Sequence, residues 1–267
     1  MTTLSTLRKY KKEGKKFSCL TCYDAMFARM MENAKIDTIL IGDSLGMVVQ
    51  GHDSTIPVTV DDMVYHTSNV ARSNDHALIL ADLPFMSYTT LEDAIVNSRR
   101  LMQAGAHVVK LEGGAELCEI VSTLAKVGTP TCVHLGLTPQ SVNVFGGYTI
   151  QGKTEDKAQK LIDDAKAVVE AGAAMLVLEV VPSDVGKRVT EAVDVPVIGI
   201  GAGADTDGQV LVMHDMLGVT HGRVARFVHD FLSDERNQSR SVEAAFALFH
   251  QAVQEGSYPS VENQFLI

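Results

Sequence analysis

The chain has 267 residues, 46% of them hydrophobic, and a formal net charge of −10. That length suits one α/β barrel of about 250 residues or two small domains, and the apolar fraction is enough for a large core. The acidic balance argues against a nucleic-acid partner, since neutralising phosphates needs a basic face. No apolar run reaches the ~20 residues of a membrane helix. The segment Lys9 to Lys16 is polar and basic with no signal-peptide core behind it. A soluble, cytoplasmic protein is therefore expected, with neither membrane nor nucleic acid as partner.

In chain order, apolar runs and breakers predict a strand–helix alternation repeated about eight times. Cys19–Tyr23 reads as the first strand, followed by a helix over Asp24–Ala34. Thr38–Ile41 is the second strand and leads into a long loop, Gly42 to Pro57. A helix then starts at a Thr59 cap with Asp61 and Asp62 in its first turn. Ala77–Ala81 is the third strand, and the helix after it runs from near Thr90 to before Gly105. Val108–Leu111 is the fourth, and Gly113-Gly114 opens a helix through Lys126. Thr131–Leu135 is the fifth, followed by a Gly-rich loop from Gly136 to Gly152 and a helix from Thr154 to Glu170. Met175–Leu178, Val195–Ile200 and Gln209–Met213 complete the set, with a short helix over Asp184–Ala192. No linker divides the chain, so residues 1–267 read as one domain, and eight such steps favour a closed (β/α)8 barrel over an open sheet. Ser239 to Gly256 adds a helix with an apolar face.

Four of these runs end in a carboxylate: Asp43, Asp82, Glu112 and Glu179. Apolar runs without alternation are strands buried on both faces of a parallel sheet, and the C-terminal strand ends of such a sheet carry the active site. An acid after a strand is often only the N-cap of the next helix, which is the reading for Asp24. It suits Asp43 and Asp82 less well, because Gly46 and Pro84 follow closely, so those two are candidate metal ligands. Lys110 and Glu112 lie two apart and share a strand face. They are either a structural ion pair or a clamp for a substrate carboxylate beside a metal-shell acid. Glu179 has apolar neighbours on both sides, which suits a general base, unless a cation such as Arg188 pairs with it. His134 ends the fifth strand and is a candidate for a hydrogen bond to substrate. All-oxygen ligands without a His pair favour Mg²⁺ over zinc. Cys19 and Cys22 form a C-x-x-C, but on a strand they face opposite ways and read, like Cys118 and Cys132, as ordinary thiols. Gly199-Ile-Gly-Ala-Gly-Ala is a weak phosphate-loop match and a better sign of close backbone approach to a ligand.

Several segments carry a resemblance to a known family. They are Thr21-Cys-Tyr-Asp-Ala, Ile41-Gly-Asp-Ser-Leu-Gly-Met-Val and Ala81-Asp-Leu-Pro-Phe-Met-Ser-Tyr, then Val109-Lys-Leu-Glu-Gly-Gly and Val133-His-Leu-Gly-Leu-Thr-Pro-Gln. Leu178-Glu-Val-Val-Pro, Ile198-Gly-Ile-Gly-Ala-Gly, Asp207-Gly-Gln-Val-Leu-Val and His214-Asp complete them, in order, over Phe17 to Leu217. In these segments the chain resembles the ketopantoate hydroxymethyltransferase family. The resemblance implies a (β/α)8 TIM barrel of the phosphoenolpyruvate/pyruvate type with an extra C-terminal helix. It also implies Mg²⁺ on Asp43 and Asp82 with Glu112 in the metal shell, Ser44 and Lys110 on the 2-oxoacid carboxylate, and Glu179 as proton acceptor. The implied reaction moves a one-carbon unit from 5,10-methylenetetrahydrofolate to 3-methyl-2-oxobutanoate, giving 2-dehydropantoate and tetrahydrofolate in pantothenate biosynthesis. The implied assembly is a homo-oligomer, commonly a decamer. One departure stands out: Arg223-Val-Ala-Arg-Phe-Val-His-Asp replaces a Pro-Lys-Phe-like segment. Two rivals stay open on the residues alone, a metal-dependent aldolase or lyase that needs no folate and a barrel serving only as a binding module.

Overall fold

Every predicted strand forms, with ends within two residues of expectation, in a computed structural model that describes residues 1–222 and 224–266. The strands are β1 (Phe17–Thr21), β2 (Thr38–Ile41), β3 (Leu78–Asp82), β4 (Val108–Glu112), β5 (Thr131–Gly136), β6 (Met175–Glu179), β7 (Val197–Ile200) and β8 (Gly208–Leu211). They pair in parallel, each with the next, and β8 closes on β1 to complete the barrel. The cause is the sequence pattern: Ile39, Leu80, Val109, Val133, Leu176 and Ile198 are all buried, because a barrel wall has apolar contacts on both sides. Truncating one such Leu to Ala would cost about 2–5 kcal/mol.

The helices follow from their caps. Asp24 accepts from the N–H groups of Met26 and Phe27 at 2.8 and 3.0 Å, so it caps the helix Ala25–Asn33 as expected. Thr59 and Asp62 form a reciprocal capping box before Val60–Ala71. Thr90 caps Leu91–Ala104, which ends at Gly105 in a left-handed conformation. Three features depart from the expected alternation. The basic N-terminal stretch is a helix, Leu4–Glu13, whose Lys11 reaches Asp207 at 2.7 Å and the Thr190 carbonyl at 2.9 Å, at the N-terminal end of the barrel. Among the described residues no helix separates β7 from β8. After β8 the described residues form the short helix Met213–Met216, and the tail helix Val242–Gln254 packs against β1 and Ala25–Asn33. Its Phe246 meets Phe27, and its Phe249 meets Phe231 and Tyr258 edge-on.

Of the departure segment, Arg223 lies outside the described residues. Phe227 within it is buried over Gly201, and its carbonyl accepts from the Tyr258 hydroxyl at 2.6 Å. No helix among the described residues is long and apolar enough to cross a membrane.

Candidate active site

Strand register assembles the site. Asp82 is paired with Lys110, Glu112 with His134, and Gly136 with Glu179, all at the C-terminal strand ends. Asp43 follows β2 by two residues and joins them through its N–H, which donates to Asp82 Oδ2 at 3.0 Å. Gly136 has φ +88°, and a Cβ there would lie 2.4 Å from the Glu179 carbonyl, so glycine is what lets β5 pass beside the base candidate.

Lys110 is the hub. Its Nζ lies 3.2 Å from Asp82 Oδ1, 3.6 Å from Glu112 Oε1 and 3.2 Å from His134 Nδ1, with the side chain only 3% exposed. Burial opposes the ammonium charge, but Asp82, Glu112 and Asp43 outweigh it and hold the lysine protonated well above its ordinary range. The carboxylates share one low-dielectric space and separate in character. Asp43 is driven well above the carboxylate range, by burial first and then by Asp82 and Glu112. Asp82 also rises, because burial exceeds the pull of Lys110. Glu112 falls, since Lys110 and His134 together outweigh its burial.

His134 bridges the two halves of the site. Nδ1 is 3.4 Å from Glu112 Oε1 and Nε2 is 3.2 Å from Glu179 Oε2. Burial and Lys110 work against its protonation, yet Glu112 and Glu179 prevail and push it up to about 9. Glu179 is the more open acid, 14% exposed at its side chain against 3% for Asp82 and Glu112. Arg188 is not its partner and instead forms a two-pronged contact with Glu155. Ser44 sits beside Asp43, and its hydroxyl bonds the Tyr23 hydroxyl at 2.9 Å, which in turn donates to Thr21 Oγ1. All the expected site residues thus gather at one mouth.

Three residues of the site carried no signal of their own in the sequence. Gln140, in the loop after β5, donates through Nε2 to Asp43 Oδ2 (2.8 Å) and the Leu83 carbonyl (3.0 Å), and its N–H donates to Glu112 Oε2 (2.9 Å). Tyr88 donates to Gln140 Oε1 at 2.7 Å, and Tyr23 holds Ser44. Each lies within a family-like segment, but a Gln or Tyr in a loop has no spacing pattern that announces such a role.

A divalent cation fits this donor set. Asp82 Oδ1 is buried with no hydrogen-bond partner among the described residues, and its near neighbour is the Lys110 ammonium at 3.2 Å. Asp43 and Asp82 repel each other as anions, which a cation would relieve. Among the described residues no three His, Cys, Asp or Glu side chains form a closed ligand set. Two carboxylates with substrate and water in the other positions is the arrangement Mg²⁺ usually takes. Glu112 is already occupied by Gln140, Lys110 and His134, so it would act from beside the ion. The four thiols are free, and burial pushes Cys19 and Cys22 up to about 12. The glycine run after β7 corrects one expectation: Gly199 makes room for Thr206, Gly201 for Phe227 and Gly203 for Ser183, so the close approach is to the protein's own side chains.

A family model described as ketopantoate hydroxymethyltransferase matches residues 1–261. A protein of Psychrobacter cryohalolentis named 3-methyl-2-oxobutanoate hydroxymethyltransferase is 76% identical over 99% of this chain and 100% of its own. One of the same name from Acinetobacter baumannii strain SDF is 60% identical over 100% of this chain and 99% of its own. Among solved structures, phosphoenolpyruvate phosphomutase from Streptomyces platensis subsp. rosaceus superposes with TM-score 0.60 at 16% identity, covering 80% of this chain and 82% of that one. The last likeness is one of fold alone, a closed parallel (β/α)8 barrel.

Proposed function

The chain belongs to the ketopantoate hydroxymethyltransferase family of transferase enzymes, and from that premise we propose that it moves a one-carbon unit from 5,10-methylenetetrahydrofolate to 3-methyl-2-oxobutanoate. The products are 2-dehydropantoate and tetrahydrofolate, with water supplying the hydroxyl oxygen, and the place is pantothenate biosynthesis. The observation that carries this reading is Lys110, a buried cation between Asp82 and Glu112, with His134 linking it to Glu179.

In this reading Lys110 and Ser44 hold the 2-oxoacid carboxylate, Lys110 by charge and Ser44 by its hydroxyl. Asp43 and Asp82 would hold Mg²⁺, with Glu112 beside it, and the ion supplies Lewis acidity to the 2-oxo group when bound. Glu179 removes the C3 proton, which lies next to that 2-oxo carbon and is acidified by it. His134 orients Glu179 and shares the negative charge of the neighbouring acids through its two ring nitrogens. Gln140 fixes the loop after β5 against Asp43 and Glu112, so the β2 and β4 acids keep their spacing. Carbon attack then closes the C3–CH₂ bond as the two CH₂–N bonds of the donor break; water supplies the hydroxyl oxygen, and its two protons with the one taken from C3 end on the hydroxyl and the two folate nitrogens.

The test is product formation from 3-methyl-2-oxobutanoate, measured with methylenetetrahydrofolate and Mg²⁺ omitted in turn. Formation that requires both is the expected result. Turnover of the oxoacid without the folate would replace this reading with lyase chemistry.

A further inference from the structure

The barrel wall is packed with buried side chains from all eight strands. A second substrate therefore reaches the 2-oxoacid only from the solvent side of the mouth, where Glu179 is the more open of the site acids. Tyr148, in the loop after β5, donates its hydroxyl to Met47 Sδ at 3.6 Å, and Met47 lies just past β2. The pair thus spans two sides of the mouth. Met47 belongs to the short helix Leu45–Val48 that directly follows Asp43 and Ser44, and burial, then Glu179, Asp43 and Glu112, hold the phenol above the usual tyrosine range.

Neither residue serves the acid cluster. The bond to Met47 is the one hydrogen bond of the Tyr148 hydroxyl among the described residues. Tyr148 is 53% exposed and Met47 38%, so aromatic and thioether surface is left to solvent above a polar site. Tyr148 follows Gly146 and Gly147, both at positive φ, and Val144 just before them is exposed too. Phe85 and Met86, on the loop after β3 at the same end of the barrel, are exposed as well. An uncharged apolar rim over a ring of buried acids suits a ligand with a flat body and an anionic tail. The body gains contact with the ring and the soft sulfur, and the tail stays clear of the carboxylates.

We propose that Tyr148 and Met47 are the platform on which the flat p-aminobenzoyl and pterin portion of the one-carbon donor stacks, bringing its methylene carbon over C3 of the 2-oxoacid. The inference rests on the folate-dependent reading above.

The experiment is steady-state kinetics on Tyr148→Ala, Tyr148→Phe and Met47→Ala, varying methylenetetrahydrofolate and the 2-oxoacid separately, with circular dichroism as the check on folding. Tyr148→Ala should raise the donor KM roughly 10- to 100-fold, the range of one lost aromatic stack. The oxoacid KM should move by no more than about twofold, far less than a lost stack. Tyr148→Phe keeps the ring and should restore most of the donor affinity, and Met47→Ala should raise the donor KM by a smaller factor. A donor KM unchanged in Tyr148→Ala, or an oxoacid KM that rises as much, overturns the platform. So does a Tyr148→Phe enzyme as impaired as Tyr148→Ala, which would give the role to the hydroxyl. If wild type makes product without any folate, the platform and the folate reading fall together. If wild type needs folate and the variants bind it normally, the platform alone falls.

Discussion

Replacing Lys110 by Met keeps most of the side-chain volume and removes the charge that three buried acids face. The wild-type ammonium sits 3.2 Å from Asp82 and 3.6 Å from Glu112 with 3% exposure, and Asp43 adds its field. Taking away one partner of such a buried set leaves uncompensated charge, which costs about 3–5 kcal/mol. For 267 residues the unfolding entropy near the midpoint is about 0.56 kcal/mol/K, so Tm should drop by about 5–9 °C. The sign with pH follows from the acids left behind. Asp43 and Asp82 already have raised folded-state pKa values, and losing Lys110 raises them further. A group raised in the folded state stabilises below its unfolded pKa and loses that contribution as pH rises through the folded value. The deficit should therefore be large near pH ~8 and shrink toward pH ~5. The assay is thermal unfolding followed by circular dichroism in Mg²⁺-free buffer across that range, with added Mg²⁺ expected to recover part of the loss. A Tm within about 2 °C of wild type near pH ~8 would refute the reasoning, because the buried acids would then not depend on Lys110.

Asp43→Ala and Asp82→Ala should each abolish Mg²⁺ binding and activity together while the barrel stays folded, and wild-type Mg²⁺ affinity by titration calorimetry in either variant would contradict the ligand assignment. Because burial and its neighbours raise Asp43, Mg²⁺ uptake by the wild type should release protons and strengthen as pH rises, and binding heats independent of buffer ionisation would count against this. Native protein treated with iodoacetamide should be labelled first at Cys118, the one partly exposed thiol, since Cys19, Cys22 and Cys132 are buried and burial raises their pKa. Early labelling of Cys19, read by mass spectrometry, would show that β1 opens in the native state.

What could be read in advance was what has a period or an end. Val, Ile and Leu runs of four or five residues mark barrel strands because both faces are buried, and an acid at the end of such a run is carried to the mouth by register alone. That is why the sequence alone carries Asp82, Lys110, Glu112 and His134 to one end of the barrel, where their strands pair in register. Gln140 was not, because its three bonds to Asp43, Leu83 and Glu112 join segments far apart in the chain. The glycines after β7 misled for a related reason: a missing Cβ announces a close neighbour and does not say whether that neighbour is a ligand or Thr206. The N-terminal helix escaped because its polar, basic face hides a single buried apolar contact, Leu7.

The claim on which the rest depends is that Glu179 takes the C3 proton, and exchange of that proton into deuterated water, followed by NMR, reads it directly. Wild-type enzyme with Mg²⁺ and 3-methyl-2-oxobutanoate, and tetrahydrofolate if needed, should exchange it. Glu179→Gln keeps the shape and the contact to His134 but not the basicity, so exchange should slow about 10²–10⁴-fold with oxoacid binding nearly intact. Near-wild-type exchange in Glu179→Gln would contradict the assignment and move the base to another residue, with His134 the first to examine.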